Sequence, residues 1–418
     1  VKKEILPWYR KGREFLYRLI KPYLIKKVSS HPDSATAHLK LGKVLSQLGQ
    51  FKEAIQHCEK AVEINPNLWE AHIQLELLYR LSSQKGKDDS KGNRLFDNRT
   101  YDLEKSSLEK VLACCRRMVD LFPDSVEANF RMGKALLYFY GNRQDASYFF
   151  HQAIKLRCVQ ARAKGHFGPI FVASMHRSAS GYIKRSLIKG LGLPDDVREV
   201  TPCTTWWYPD ITIPYPPYAL TTEPVSDAVS VGHTSGMRSN LTLLNLCVDR
   251  LVVNVRDPRQ GLVSYVHYLN YFKHTDNFLG LLEAHIPQDY FLLSMTDQIS
   301  WQIENFYLPA TIRWIEGWLD AEEDPTFYPK MLFTTQENLV ADPKGYFESI
   351  LEFYEIGKQR FTFPAKPEFQ HNTPMREGRV DEWREVFSAQ QMQRTTDMIP
   401  ERFFNKFGWA REPQLLNI

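Results

Sequence analysis

The sequence lacks any patterned cysteine. Its six cysteines, Cys58, Cys114, Cys115, Cys158, Cys203 and Cys247, form no CxxC pair and no Cys/His cluster with zinc spacing. That argues against a structural metal centre and against a disulfide framework. Few, scattered thiols suit a reducing compartment, so the expected location is cytoplasmic. A charge excess is also missing: 53 Lys+Arg against 49 Asp+Glu leave a net +4 on 418 residues. This excludes a strongly basic nucleic-acid binder but leaves room for a local basic pocket around an anionic small molecule. There is no apolar run of about 18 residues, so no transmembrane segment is expected. No signal-peptide pattern is evident either, although the chain opens on Val1, which leaves room for a segment upstream. Hydrophobic residues at 43% are ample for globular cores, and the length suits two or three domains.

Three regions follow one another. Residues 1–34 read as a basic amphipathic helix, with Trp8, Tyr9, Phe15, Leu16, Leu19, Ile20 and Tyr23 set among Lys and Arg. Such a helix either packs on its neighbour or meets a membrane surface or partner. Residues 35–162 repeat. Leu41-Gly42, Leu45, Ala54, Cys58, Ala61 and Pro66 fall in order within 35–68, and these offsets resemble the tetratricopeptide (TPR) pattern of about 34 residues and two antiparallel helices. A second copy begins at Trp69, with Leu75 and Tyr79. A polar stretch, Ser82–Thr100, interrupts it and reads as a flexible loop, after which the second helix resumes near Asp102 and ends at Pro123. A third copy carries Met132-Gly133, Leu136, Ala146, Phe150 and Ala153, slipped by one residue. TPR stacks hold a peptide or pack on a neighbour, so a protein partner is expected here. From 163 to 418 short apolar runs alternate with amphipathic stretches. Pro169–Ala173, Val229–Val231, Leu251–Val255 and Met331–Phe333 fit buried parallel strands. The expected fold class is therefore multidomain: helical repeats, then an α/β domain with a central parallel sheet.

Three segments carry candidate chemistry. After the first strand come Arg177, Ser178, Ala179, Ser180, Gly181 and Tyr182, small and polar residues that open a helix. A helix start offers amides and a dipole to an anion, and Arg177 adds a fixed charge. The loop is not GxxxxGK[ST]. A ligand-free strand–turn–helix junction would look the same. In the second segment Arg256 ends a strand, Asp257-Pro258 turns the chain, and Ser264 follows on the next helix. An Arg at a strand end and a Ser on the next helix can converge on one phosphate, and the competing reading is an Arg–Asp surface pair. The third holds Arg376, Glu377, Gly378 and Arg379, with Asp381-Glu-Trp383 beyond. Its arginines could close over an anion.

Together and in this order, the three segments resemble the superfamily of sulfotransferases that use PAPS (3′-phosphoadenosine 5′-phosphosulfate), over roughly residues 165–410. Arg177–Tyr182 is similar to its 5′-phosphosulfate loop, Arg256…Ser264 to its 3′-phosphate motif, and Arg376…Trp383 to its late R-K-G-x-x-G-D-W loop. Gln336-Glu-Asn-Leu…Asp342-Pro343 is similar to a Y-E-D-[L/M]…[N/D]-P segment. The resemblance implies a P-loop-like α/β sulfotransferase domain. It implies PAPS as donor and PAP (3′-phosphoadenosine 5′-phosphate) as product, with no metal. The acceptor would carry a hydroxyl or amine: small molecules and saccharides come first, and phenols, peptides and guanidinium-type nitrogens stay open. His233, in Val229-Ser-Val-Gly-His-Thr-Ser-Gly236, stands in the interval of the family's catalytic histidine, which makes it the implied general base. Arg177 would neutralise the leaving group, and His176 is the rival base. The chain also departs from the pattern. Ala179 replaces a glycine, Gly181 a threonine, Gln336 an adenine-contacting tyrosine and Glu377 a lysine. The aromatic stretches Trp206–Pro209 and Pro214–Tyr218 could line an acceptor pocket or form a rigid linker. The cluster Tyr265, His267, Tyr268, Tyr271 and Phe272 reads as packing. Two further functions compete: a P-loop-like kinase, and a TPR scaffold whose nucleotide-binding domain has degenerated.

Overall fold

A computed structural model describes residues 2–82, 105–193, 227–245, 248–273, 286–363 and 379–411. The chain divides into two compact units, Val1–Leu156 and Arg157–Ile418. The first is helical: α1 (Lys2–Ser30), α2 (Ala35–Gln47), α3 (Phe51–Ile64), α4 (Trp69–Ser82), α5 (Lys105–Leu121), α6 (Val126–Tyr140) and the first part of α7 (Arg143–Ala163), whose end belongs to the second unit. Ser34 and Ser125 open α2 and α6 as N-caps, their hydroxyls accepting from the amides of Ala37 and Ala128. The small residues of the repeat pattern let paired helices touch. A Cβ on Gly42 would stand 2.5 Å from Cys58 Sγ, and one on Gly133 would stand 2.9 Å from the Phe150 ring. The one-residue slip in the third copy therefore seats a phenyl ring where the first copy seats a thiol.

Each repeat is also tied at its entry. His38 Nε2 lies 3.0 Å from the Pro32 carbonyl, His72 Nε2 2.7 Å from the Pro66 carbonyl, and Asn129 Nδ2 2.8 Å from the Pro123 carbonyl. These are three equivalent positions, each six residues beyond its proline. The side chain anchors the inter-repeat turn to the helix that follows. Most of the segment read as a flexible loop lies outside the described residues.

The second unit surrounds a four-stranded parallel sheet of β1 (Pro169–Ser174), β2 (Ala228–Gly232), β3 (Arg250–Val255) and β4 (Lys330–Thr335), in the order β2-β1-β3-β4. Both faces are covered, which is why the strands read as continuous apolar runs. Along β1, Ile170 and Val172 enter one core with Ile183 and Leu187 of α8 (Ser180–Gly190) and Phe347 of α14 (Pro343–Phe353). Phe171 and Ala173 enter the other, with Leu262 and Val266 of α10 (Pro258–Phe272) and Ile315 and Trp318 of α12 (Tyr307–Glu323). From β1 the chain steps to β2 on one side, then crosses to β3 on the other. The order thus reverses between β1 and β3, and the carboxyl edge at such a switch point is where open α/β sheets place their ligands.

Candidate functional site

The loops after β1 and β3 sit side by side at that edge. The first is anchored from beneath. Met175 N donates to the Asn254 carbonyl on β3 at 2.8 Å. The Asn254 carboxamide then donates to the Ser178 carbonyl at 2.7 Å and to Ser178 Oγ at 3.1 Å. Its oxygen accepts from Thr334 Oγ1 at 3.1 Å and Tyr346 OH at 2.9 Å. Strand register explains the arrangement: Ser174, Asn254 and Thr334 are partners in one row across β1, β3 and β4. Asn254 is wholly buried, so satisfying all of its polar capacity fixes the loop above it. The Ser178 hydroxyl turns inward, 2.6 Å from the Met175 carbonyl and 2.9 Å from Ser174 Oγ.

Two residues of this loop, Arg177 and Ala179, hold φ = 66°. This left-handed conformation costs a residue with a side chain about 1–2 kcal/mol. It carries the chain sharply from β1 into α8, whose N-cap is Ala179. Tyr182 N already bonds the Ala179 carbonyl at 2.9 Å. The amides of Ser180 and Gly181 have no partner inside the helix and belong to its electropositive end. The Tyr182 ring packs 6.2 Å from Phe347.

The arginines interlock. Arg256 Nη1 donates to the Arg177 carbonyl at 2.8 Å and Nη2 to the Arg379 carbonyl at 3.1 Å. Arg177 Nε reaches Ser264 Oγ on α10 at 3.2 Å, and its guanidinium lies 4.3 Å over the Tyr268 ring. Tyr268 therefore does more than pack. Burial first, and then the neighbouring Arg256, push Arg177 down to about 10, which leaves it charged at neutral pH. Arg256 is held below its ordinary value by the same burial. Asp257 does not pair with it. It binds Arg259 at 2.7 Å, and Arg259 stacks 4.0 Å over Trp383. The Arg–Asp pair of the competing reading is therefore buried and involves a different arginine.

Arg256 Nε, Gln336 Oε1 and Glu337 Oε2 are buried without a hydrogen-bond partner among the described residues. They lie at or just beyond the ends of β3 and β4. Polar atoms in that state cost about 1–3 kcal/mol each unless a ligand or water meets them. Glu337 Oε1 accepts from the Asp257 amide at 2.9 Å, and burial raises the Glu337 carboxyl above its usual range.

His233 follows β2, which pairs with β1 in register at Ala173 and Gly232. Its Nδ1 stands 2.7 Å from the Ser174 carbonyl. A carbonyl only accepts, so Nδ1 carries the hydrogen and the neutral ring keeps its lone pair on Nε2. Burial first, and then nearby Arg177, hold its pKa below the ordinary imidazole value. Two indoles fix the backbone here: Trp314 Nε1 donates to the His233 carbonyl at 3.2 Å, and Trp318 Nε1 to that of Thr234 at 3.1 Å. The His176 ring lies 4.6 Å from that of His233.

The structure thus gathers Arg177, Arg256, Ser264 and His233 at one edge, with Ser180 and Gly181 at the helix start. Arg376, Glu377, Gly378 and the aromatic stretches 206–209 and 214–218 lie outside the described residues. Asn254, Thr334, Tyr346, Trp314 and Trp318 were not singled out from the sequence. The one available signal was a lone asparagine inside the apolar run Leu251–Val255.

Among known proteins, the tetratricopeptide-repeat family pattern matches residues 35–68. A solved structure of MamA shares 19% identity over 35% of this chain and 72% of that chain, with a TM-score of 0.28. A thermophilic TPR protein of Thermus thermophilus shares 18% over 38% and 76%, with a TM-score of 0.26. No curated protein matches. No helix among the described residues is long and apolar enough to cross a membrane. The chain carries a tetratricopeptide repeat in an N-terminal helical unit, followed by a mostly helical unit with a small parallel sheet.

Proposed function

We propose that the second unit is a sulfotransferase that takes its sulfuryl group from PAPS and passes it to a hydroxyl or amine acceptor, a small molecule or saccharide. One observation carries this reading: Arg256 holds the Arg177 carbonyl while Arg177 reaches Ser264, so two arginine-bearing turns meet at the sheet's switch point. The buried, unpartnered Arg256 Nε and the amides of Ser180 and Gly181 suit a bisphosphorylated nucleotide. PAPS, when bound, supplies an activated sulfuryl group. The acceptor forms its bond to sulfur as the bridging oxygen–sulfur bond breaks, and the acceptor proton passes to His233 Nε2. Charge left on the departing bisphosphate is met by Arg177. His233 suits this role because burial disfavours its charged form and so favours the ring that can accept a proton. The acidic limb of kcat is therefore expected at lower pH than a free imidazole would give, because burial pulls the His233 pKa down.

Calorimetric titration of the whole chain with PAP in the presence of a metal chelator tests the reading. Binding is expected without Mg²⁺, whereas a kinase site would require it. Arg256→Ala should weaken PAP about 100-fold, by loss of charge-assisted contacts. His233→Ala should keep PAP affinity and lose about 10²–10⁴ in turnover, followed as PAP release from PAPS with an acceptor panel. Absence of PAP binding would favour the second reading, a TPR interaction protein with a degenerate nucleotide domain. The repeat match at 35–68 supports it, as do the alanine at a left-handed position and the inward-turned Ser178 hydroxyl.

A further inference from the structure

Over residues 15–30 the first helix presents two apolar faces, and among the described residues only one is covered. Leu24 is buried in the core of the first unit, and Tyr17, Ile20 and Val28 pack against that core. Phe15, Leu19 and Tyr23 stand 71%, 67% and 65% exposed, with Leu16 exposed beside them. At about 100° per residue these four share a second sector, roughly 130° round the axis from the first. Tertiary packing on α2 accounts for the first stripe and leaves the second unexplained. A clustered apolar face of this kind on a helix is a contact surface.

Charge chooses the partner. Residues 15–30 carry Arg18, Lys21, Lys26 and Lys27 and no acidic residue. On the helical wheel Arg18 and Lys27 flank the exposed apolar sector, and Lys26 lies within it, one turn beyond Tyr23. A groove of about 660 Å³ opens beside the helix, lined by Arg18, Lys21 and Lys26 with Ile25 and Leu48. Lys21 is positioned there by a 2.8 Å bond to Gln50 Oε1. Aromatic and aliphatic side chains bordered by cations are what an interfacial helix presents to lipid: the apolar residues enter the acyl boundary and the cations meet headgroup phosphates. A second copy of this chain would set the same cations against one another.

We infer that α1 docks the chain on an anionic bilayer surface through Phe15, Leu16, Leu19 and Tyr23, with Arg18, Lys26 and Lys27 on the headgroups. Cosedimentation of the full chain with phosphatidylcholine vesicles, with and without about 30% phosphatidylserine, tests it. Binding is expected to the anionic vesicles alone and to weaken as salt rises. Phe15→Glu or Leu19→Glu should lower affinity about tenfold, and Arg18→Glu with Lys26→Glu by a similar factor. All four substitutions are at exposed positions, and unchanged circular dichroism confirms the fold. Leu292→Glu, at an exposed apolar position outside α1, should change nothing. The inference is overturned if anionic vesicles do not bind, or if Leu19→Glu binds them as well as the parent. It is overturned equally if the chain self-associates through Leu19 and ignores vesicles.

Discussion

Both units use buried polar side chains to hold backbone carbonyls, but over very different spans. In the repeats His38, His72 and Asn129 each reach a proline carbonyl six residues earlier. In the α/β unit Asn254 ties Ser178, 76 residues away, to Tyr346, 92 residues away. The first arrangement is modular: three separate ties, each closing one turn. The second is concentrated, with three strands and the site loop depending on one side chain. A modular unit should lose stability in small independent steps, and a concentrated one should lose much at once.

The widest test of that contrast is Asn254→Ala. It leaves the Ser178 carbonyl without the Asn254 donor in a dry core and takes their Asn254 acceptor from the Tyr346 and Thr334 hydroxyls, which keep only each other at 3.3 Å, at about 1–3 kcal/mol per weakened group. A total loss of about 4 kcal/mol is expected. Urea unfolding gives the magnitude, and hydrogen exchange by mass spectrometry gives the place. Faster exchange should be confined to the second unit and should include the loop 175–179. Equal acceleration across α2–α5 would break the comparison. His72→Ala should cost less, about 1–1.5 kcal/mol, with exchange rising only around α3–α5. His72→Asn should recover most of that loss, because Asn129 makes the equivalent tie in the third copy with a 2.8 Å bond. A His72→Asn variant as weak as His72→Ala would mean that packing against Phe122, 6.5 Å away ring to ring, matters more than the tie.

The same contrast governs what the sequence made legible. Repeat positions such as Gly42 and Cys58 act on neighbours one helix away, so spacing alone exposes them. The entry tie was equally available, as a polar residue six positions after each proline, yet a search guided by small residues passes over it. The strands were legible because burial on both faces leaves unbroken apolar runs. Arg177, Arg256, Ser264 and His233 were legible as types at strand ends, and their convergence follows from the sheet order. Asn254 was not, because a single asparagine in Leu251–Val255 gains its meaning only once Ser174 and Thr334 are aligned with it across three strands. The sequence pattern offers the Ser178 amide to an anion along with those of the following residues. In the structure that amide donates to the Met175 carbonyl at 3.2 Å, and the Ser178 hydroxyl completes the Asn254 network, since a bond inside the core avoids leaving Asn254 short of an acceptor.

The smallest effect concerns the loop itself. Ala179 holds φ = 66°, where a methyl group is penalised by about 1 kcal/mol or more and glycine is not. Ala179→Gly removes that penalty but adds freedom to the unfolded chain, which returns part of the gain. A net stabilisation of about 0.5 kcal/mol is expected, read as a rise of about 1–2 °C in the melting temperature of the second unit. The opposite sign would locate the stability of the turn in the Ala179 methyl, which packs against the core containing Ile183 and Phe347. PAP affinity measured on the same variant separates two roles for the strain. If the left-handed turn only carries β1 into α8, relief leaves affinity unchanged. If Asn254 and Arg256 hold the loop against that strain so that its amides are already aimed outward, a glycine at 179 loosens the aim and weakens PAP while the fold becomes more stable. Stability and affinity moving in opposite directions would mark residues 177–179 as the place where the concentrated wiring of this unit is put to use.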